Sequence, residues 1–481
     1  MIWRNQRANE AAIVPLLGNA YFAILVKGTI IMNGFTKTLM PDASTLPWVG
    51  RRDAVKARPD HRTSQSFLGI LLSTAIVLYI TLFVVNGALP QLEIFLTRGH
   101  IPITANSFQV LVLLMAGLVL FRRRLRNNPL MLATMLLAFY VVVDFFLLSA
   151  FTNYSFSDLK VSMGSYLIPL VIIGFALSTP IIVRSEAVVA LVMVLFVACF
   201  CVSVLQFVTN TPVVATESLD NSFTIPSFIF GGKVRAFSLF QSGLHAGIFY
   251  CLTAAFGTSL CFKSGRQKVF GYIIVVMSAF GCYATLTRLT ILGFLACVAT
   301  VILIHLKSTR KLVPFVPLVW ALMGALLVAQ GYYASGQASG MGIGNTSSLE
   351  SRLMEWRYYT VQYLGETPGQ LAFGTGTSPW REVGSANMPA TAAPVSIDNG
   401  YIEMLLNSGI VGLLLVVFFS WRVWSVLSRK ALKFGSDFVI ATAAIFSVLP
   451  FFSSINDLLP QIFIMALLGL ICDDGKLASA S

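Results

Sequence analysis

Most of this chain consists of continuous apolar runs of roughly 20 residues, separated by short polar stretches. A run of that length is long enough to cross the hydrocarbon of a membrane as an α-helix. The strands of a membrane β-barrel would instead alternate apolar and polar positions over about 10 residues. The runs predict about twelve transmembrane helices, at residues 67–87, 106–121, 129–150, 163–183, 187–208, 244–262, 269–286, 289–306, 312–330, 399–420, 437–454 and 458–472.

The predicted architecture is an all-α polytopic membrane protein that its loops divide into four parts. Residues 1–66 form an N-terminal segment with a basic cytoplasmic stretch. Within this segment, the weaker apolar run at residues 11–33 is either a thirteenth span or an interfacial helix. No small-residue cleavage site follows that weaker run, so we do not expect a cleaved signal peptide. Residues 67–330 hold transmembrane helices, residues 331–398 form a long periplasmic loop, and residues 399–481 hold the C-terminal transmembrane helices.

The composition supports a membrane protein. Hydrophobic residues make up 56% of the chain and charged residues 11%, whereas an ordinary soluble domain carries about 25% charge. This excludes a soluble globular enzyme, and a disordered chain would need low hydrophobicity. All seven cysteines lie in or at the ends of apolar runs without metal-ligand spacing. We therefore predict that they are small buried residues, with no disulfide framework and no zinc site.

The distribution of basic residues predicts how the chain is oriented. The net charge of +13 does not indicate a nucleic-acid partner, because excess Lys and Arg in a membrane protein usually lies in cytoplasmic loops. With residue 66 in the cytoplasm, 22 of the 33 Lys and Arg side chains fall in inner loops and 8 in outer segments. Residues 209–243 and 331–398 then face the outside.

The longer outer loop has 68 residues, and loops of that length are usually functional. It begins with a flexible Gly/Ser-rich linker over residues 331–344. Ser347–Glu350 is a capping-box pattern that starts a helix, and Pro368 lies just beyond the predicted helix end. The spacing predicts an amphipathic helix resting on the membrane domain, with Arg352 and Glu355 on its polar face. After it, residues 373–377 (FGTGT) predict a glycine turn whose N–H groups could face an anion.

Three arginines are candidate ligands for a phosphate group. Arg235 precedes a span, Arg288 lies between two spans with almost no loop, and Arg352 lies on the predicted loop helix. All three fall on the predicted outer side, and a guanidinium group binds phosphate oxygens through two parallel N–H donors. Asp398, at the outer start of a span, is the carboxylate available as a base, although Asp there also serves as an N-cap. No acidic pair or His/Cys cluster has metal-ligand spacing, so we predict recognition of an anionic lipid phosphate without a metal ion.

These motifs, in this order and membrane placement, resemble the O-antigen polymerase/ligase superfamily of bacterial membrane glycosyltransferases. The resemblance covers roughly residues 230–420 as motifs and the whole chain as topology. It is carried by Arg235 with Phe240–Gly243, by Thr287 and Arg288, by the loop helix with Arg352, Glu355 and Trp356, by the Phe-Gly-Thr-Gly turn, and by Asp398–Tyr401 running into Gly409 and Gly412. The two last glycines are expected to let another helix approach closely.

The resemblance implies an all-helical GT-C-type fold and a glycan donor linked to undecaprenyl pyrophosphate. Ligases of this group typically carry a His where Asp398 stands, so the aspartate favours a polymerase. The implied enzyme is a metal-independent inverting glycosyltransferase of the bacterial inner membrane, without a cofactor and with its site facing the periplasm. The implied catalytic residues are Asp398, Arg235, Arg288 and Arg352, and the implied substrate-binding residues are Gln241, Glu355, Asn399 and Tyr401.

The implied partners are a lipid-linked oligosaccharide donor and acceptor in the bilayer, with a chain-length regulator and a flippase as candidate protein partners. Three other interpretations stay open. A ligase or a protein O-oligosaccharyltransferase would use the same donor with a different acceptor. A flippase or transporter of lipid-linked sugars would show paired, interrupted helices in the two halves of the chain, and the sequence shows no such symmetry. A purely structural membrane protein is the third.

Overall fold

The computed structural model describes residues 81, 129–151, 183–211, 229–230, 232–240, 242–333, 368–374, 400–434, 436–448, 466, 469 and 472–473. Regular structure in these residues is mostly helical. The helices are α1 (Pro129–Phe151), α2 (Ser185–Thr209), α3 (Gly243–Cys261), α4 (Arg266–Ala284), α5 (Arg288–His305), α6 (Val316–Tyr333), α7 (Pro368–Phe373), α8 (Gly400–Phe434) and α9 (Asp437–Ser447), with a 3₁₀ helix at Arg310–Phe315. The strands are the two-residue β1 (Val183–Arg184), β2 (Ile229–Phe230), β3 (Lys233–Val234) and β4 (Cys472–Asp473).

The helical fold class is confirmed for the described residues, in which five helices are long and apolar enough to cross a membrane. They are Val188–Thr209, Gly243–Cys261, Arg266–Ala284, Arg288–His305 and Ser408–Lys433. The predicted spans at 129–150, 187–208, 244–262, 269–286 and 289–306 agree with α1 to α5 within three residues at each end. The total of twelve spans and the N-terminal residues 1–66 fall outside the described residues, as does the amphipathic helix of the long loop.

Helix α3 lies at the centre of the described bundle, where α4, α5 and α9 pack around it. Almost all of its residues are buried. Glycines make this possible, since small residues let helix backbones approach closely. A Cβ on Gly257 would lie 2.9 Å from Ile274, and one on Gly271 would lie 2.6 Å from the carbonyl oxygen of Gly257. Helices α3 and α4 therefore pack backbone to backbone.

Polar side chains join the ends of α3, α5 and α9. Ser259 Oγ donates to Asp437 Oδ1 at 2.7 Å and lies 2.9 Å from His305 Nε2. Lys263 Nζ lies 3.5 Å from Asp437 Oδ2. All four residues belong to predicted cytoplasmic ends of spans, so their meeting agrees with the predicted alternation of helix directions. The serine lies between the histidine and the aspartate, whereas a nucleophilic triad has the histidine in the middle. The arrangement joins three helices and does not activate the serine.

Strands β1 and β4 pair in parallel at the ends of two predicted spans. Val183 lies opposite Cys472, and these are the last residues of the predicted spans 163–183 and 458–472. The prediction that these two end residues are helical is wrong, because each of them belongs to a short strand. The pairing agrees with the placement of both span ends on the same side of the membrane.

Burial of the cysteines is confirmed for four of those described, Cys199, Cys251, Cys282 and Cys297. The prediction is wrong for Cys201, which is exposed, and Cys261 is half-buried. Helix α2 is apolar all round, so its outward-facing positions carry the same residue types as its inward-facing ones. The sequence pattern alone could not separate them.

The predicted span 399–420 ends too early. Helix α8 continues to Phe434, and its stretch long enough to span a membrane is Ser408–Lys433. Arg422 lies inside that stretch, where a charged side chain is costly. In the structure the Arg422 guanidinium lies over the ring of Phe418, 5.0 Å from its centre. Such cation–π contacts stabilise an arginine within an otherwise apolar helix.

Helix α8 is broken at Gly409, which has φ +60° and ψ −170°. This conformation is essentially restricted to glycine. The break interrupts the helical hydrogen bonds, and the Tyr140 hydroxyl of α1 donates to the Ser408 carbonyl at 2.5 Å. Helix α7 packs on the break, because a Cβ on Gly409 would lie 2.3 Å from the carbonyl oxygen of Ala372. Close approach at Gly409 was predicted, and its partner is this short helix.

We expect Gly409→Ala to destabilise the protein by more than about 1 kcal/mol, because Ala is strained at positive φ and its methyl group would overlap the backbone of α7. Gly369→Ala is the matched control, since open space surrounds Gly369. Thermal unfolding of the purified variants in detergent measures the difference. Equal midpoints for the two variants would contradict the packing of α7 on the break.

Candidate functional site

The structure describes three of the eight predicted site residues. Arg235 follows β3, Arg288 is the first residue of α5, and Tyr401 lies in the first turn of α8. The other five fall outside the described residues and stay predictions; they are Asp398, Arg352, Gln241, Glu355 and Asn399.

The hairpin before Arg235 is held by Asn210, at the end of α2. Strands β2 and β3 pair antiparallel across a two-residue turn, in which Gly232 has φ +77°, as such turns require. Asn210 Oδ1 accepts the Val234 N–H at 2.7 Å, and Asn210 Nδ2 donates to the Gly232 carbonyl at 3.1 Å. The backbone immediately before Arg235 is therefore anchored to α2.

Gln206 holds the backbone that follows Arg235. Gln206 Oε1 accepts the Ser238 N–H at 2.8 Å, and Gln206 Nε2 donates to the Ser238 carbonyl at 3.3 Å. Ser238 has φ +58°, an uncommon conformation for a residue other than glycine. Its hydroxyl donates to the Cys199 carbonyl at 2.7 Å. Gln206 and Ser238 are both fully buried, so these hydrogen bonds satisfy groups that water does not reach.

Threonine hydroxyls hold the turn that presents Arg288. Three residues join α4 to α5, which confirms that almost no loop separates the two spans. Thr285 Oγ1 donates to the Cys282 carbonyl at 2.7 Å, Thr287 Oγ1 to the Thr285 carbonyl at 3.0 Å, and Thr290 Oγ1 to the Thr287 carbonyl at 2.7 Å. The first of these bonds satisfies a carbonyl that the end of α4 leaves open, and the other two bond carbonyls of the turn itself.

A backbone hydrogen bond joins the residue after Arg235 to this turn. The Ala236 N–H donates to the Ala284 carbonyl at 3.0 Å. Gly243, the first residue of α3, packs between them, since a Cβ there would lie 3.4 Å from the Thr285 oxygen and 3.5 Å from the Ala236 oxygen. The structure therefore brings together the two chain segments that carry the described arginines, although they are far apart in the sequence.

The electrostatics of this region favour an anion. Helices α3 and α5 both begin here, and the N–H groups of a helix N-terminus carry a partial positive charge. Arg235 is half-buried, Arg288 is exposed and Lys233 is exposed. Lys233 Nζ lies 5.9 Å from the ring centre of Phe207. Cationic side chains and helix N-termini thus lie at one end of the bundle, and phosphate is an anion that both recognise.

Tyr401 lies before the membrane-spanning part of α8. Its side chain is half-buried, and desolvation raises the pKa of its phenol to about 12. The hydroxyl therefore stays protonated at physiological pH and can donate a hydrogen bond, but it is not a base.

The glycine turn of the long loop differs from the prediction at its first two positions. Phe373 is the last residue of α7, and Gly374 closes that helix with φ +85°. The Gly374 N–H donates to the Gln370 carbonyl at 2.7 Å. That N–H therefore serves as a helix cap, and it does not face an anion.

Among the described residues, no three His, Cys, Asp or Glu side chains are grouped in a way that could hold a metal ion. The phosphate ligands that these residues offer are guanidinium groups and helix N-termini. That the reaction needs no metal stays a prediction, since it concerns the whole site.

The polar residues Gln206, Asn210, Thr285 and Thr290 were not predicted as part of the site. A signal was present for the first two, because two amide side chains four residues apart share a helix face in an otherwise apolar run. The contacts of these residues, however, join segments distant in sequence, and no local pattern reveals them.

A family model described as O-antigen ligase matches residues 273–419, a little under a third of the chain. The matched range contains Arg288, Tyr401 and Asp398 but begins after Arg235, so it is shorter than the range of 230–420 over which motifs were predicted. No curated protein matches the chain. The match confirms, for residues 273–419, the resemblance to the O-antigen ligase and polymerase superfamily.

Proposed function

We propose that this protein polymerises undecaprenyl-pyrophosphate-linked oligosaccharide repeat units into a cell-surface polysaccharide. The matched domain supports a ligase or polymerase type of glycosyl transfer, and its family together with the apolar helices indicates a bacterial inner membrane protein with lipid-linked oligosaccharide substrates. The finer assignment to polymerisation rests on Asp398, where ligases of this group typically carry a histidine. In this proposal the site faces the periplasm, as the distribution of Lys and Arg predicts.

In the proposed reaction a sugar hydroxyl of one lipid-linked unit attacks the anomeric carbon of the glycan on another. A new C–O bond forms at that carbon, and the C–O bond to pyrophosphate breaks with its electron pair on the phosphate oxygen. Asp398 takes the hydroxyl proton as general base. Attack opposite the leaving group inverts the anomeric centre. The products are a glycan lengthened on the acceptor lipid and free undecaprenyl pyrophosphate.

Arginines stabilise the leaving group in this proposal. Charge develops on the pyrophosphate as the bond breaks, and fixed cationic donors stabilise it more in the transition state than in the ground state. Arg235 and Arg288 form the clamp, and Arg352 closes over the substrate from the loop helix. Gln241, Glu355, Asn399 and Tyr401 bind the sugars, with Tyr401 as a neutral donor.

One backbone hydrogen bond gives the main structural support for the arginine clamp. The Ala236–Ala284 hydrogen bond of 3.0 Å joins the segment of Arg235, which lies outside the matched range, to the turn of Arg288, which lies inside it. A turn of the matched domain and a separate arginine segment thus meet at one end of the bundle. Both arginines follow backbone turns that side-chain hydrogen bonds hold, so the backbone that carries them is positioned before a substrate binds.

A ligase is the second candidate, because the matching family is described as O-antigen ligase. It would transfer the same donor glycan to a different acceptor, and a protein O-oligosaccharyltransferase would do so to a protein hydroxyl. The phosphate clamp would be the same in all three. The three activities differ only in the acceptor that receives the glycan.

We expect the purified protein, given only lipid-linked repeat units, to form a ladder of products that differ by one repeat unit. Gel electrophoresis of the released glycans measures this. A parallel reaction contains a lipid A–core acceptor, and the repeat unit of the host organism is the substrate in both. Transfer in the parallel reaction without a ladder in the first would establish a ligase and contradict polymerisation.

A further inference from the structure

Two amide side chains at the end of α2 bond to the backbone on both sides of Arg235. Gln206 lies in the last turn of α2 and Asn210 follows the end of that helix, and both amides reach the same stretch of chain. Each amide supplies one acceptor and one donor to a single stretch of chain. Asn210 bonds to the Gly232 carbonyl and the Val234 N–H, and Gln206 bonds to both backbone groups of Ser238.

These bonds replace the pairing that a neighbouring strand would supply. The backbone between the hairpin and Ser238 has four of its polar groups bonded to the two amides, at distances of 2.7–3.3 Å. The Ala236 N–H is bonded in addition to the α4–α5 turn. A segment held on both sides of one residue leaves that residue little freedom in φ and ψ, so the direction of the Arg235 Cα–Cβ bond is set.

One end of the held segment adopts a conformation that costs free energy. Ser238 has φ +58°, and left-handed residues other than glycine and asparagine are costly. Backbone strain of this kind persists only where surrounding contacts determine it. The amide bonds are those contacts for Ser238, since both of its backbone groups pair with Gln206.

We infer that Gln206 and Asn210 are positioning residues that hold Arg235 in the orientation in which its guanidinium group binds the lipid pyrophosphate. The inference rests on the proposed role of Arg235 as part of the phosphate clamp. In this role each amide acts on the backbone that carries Arg235. Losing either one lets the segment relax, so that the guanidinium spends less time in the binding orientation.

The test measures binding of farnesyl pyrophosphate, a short isoprenyl pyrophosphate, to the full-length purified protein in detergent by calorimetry. Asn210→Gly removes the amide while glycine accepts the left-handed conformation, and Asn210 is exposed, so this variant should fold. Gln206→Met keeps the size of a buried side chain and removes both bonds. Thr209→Val is the control, because the Thr209 hydroxyl bonds, among the described residues, to Leu205 and Thr211, which are close to it in the sequence.

We expect Asn210→Gly and Gln206→Met each to weaken binding several-fold and Thr209→Val to leave it unchanged. In an Arg235→Ala background, which itself weakens binding about tenfold or more, Asn210→Gly should add less than a twofold change, because the group it positions is gone. Equal losses in the two backgrounds, or wild-type affinity for Asn210→Gly, would overturn the positioning role. Wild-type affinity for Arg235→Ala would instead contradict the clamp. A thermal midpoint for Asn210→Gly close to that of wild type excludes unfolding as the cause.

Discussion

Asp398→Asn will lower the rate of polymerisation by roughly 10²–10⁴-fold while leaving the protein folded, because the amide removes the carboxylate that accepts the proton of the attacking hydroxyl. Asn caps a helix about as well as Asp, so a capping role survives the substitution. The rate is measured with purified lipid-linked repeat units from the growth of the product ladder, and folding from the thermal midpoint in detergent.

Asp398→Ala separates the two roles that an aspartate before a helix can have. If the residue were only an N-cap, Asn would be nearly silent and Ala would cost about 1 kcal/mol of stability. If Asp398 is the base, the rate of polymerisation falls in both the Asn and the Ala variant. A wild-type rate for Asp398→Asn would mean that another group accepts the proton. Glu403, in the first turn of α8, and Glu355 are the next carboxylates to replace. The arginine clamp would stand in that case.

Arg235→Ala and Arg288→Ala are each expected to lower the rate by about 10²–10³-fold, the loss that follows removal of one donor to a developing negative charge. The protein should remain in the membrane at normal levels. Lysine at either position should restore only part of the rate, because it keeps the charge but loses the two parallel N–H donors of guanidinium. Polymer formation in cells and the ladder assay in vitro measure the effect, and immunoblotting of membranes measures the protein.

Arg429→Ala is the matched control for loss of one positive charge. Arg429 is exposed on α8, and its guanidinium donates to the Ser425 carbonyl and hydroxyl at 2.8 and 3.0 Å within its own helix. We expect this variant to keep the wild-type rate. Full activity in both Ala variants of the clamp would remove the clamp from the mechanism. Loss of the protein together with its product would indicate instead that these arginines anchor helix ends.

The experiments have a logical order, since the clamp is shared by polymerase and ligase while the acceptor is not. Binding of an isoprenyl pyrophosphate tests Arg235 and its two amide supports without any glycosyl acceptor. The ladder assay then tests the acceptor, and Asp398 tests the chemical step. A negative result in one of these three experiments does not prevent the other two from being carried out.

Much of the helical layout could be predicted from the apolar runs. A stretch of about 20 apolar residues has one stable form in hydrocarbon, because every backbone N–H and C=O must be bonded within the segment. Helices α1 to α5 therefore begin and end within three residues of prediction. Helix α8 was misjudged because the contact of Arg422 with Phe418 stabilises a charge that the pattern treats as a boundary.

The break in α8 could not be predicted from the pattern of apolar residues. Gly409 was predicted as a position of close approach, and α7 does pack there. The positive φ of Gly409 was not predicted, since glycine also occurs in unbroken membrane helices to let neighbours pack. Only the position of α7, a helix of six residues, determines that this glycine bends the chain.

The candidate site divides in the same way between sequence and tertiary structure. The sequence alone determined that the chain is a helical membrane protein, and it identified Arg235 and Arg288 from charge next to apolar runs, because a charge there is costly unless it has a partner or a function. The tertiary structure decided that the segments of these arginines meet, through the Ala236–Ala284 hydrogen bond, and that Gln206 and Asn210 hold one of them. Those hydrogen bonds join positions far apart in the chain, and their geometry exists only after the helices have packed.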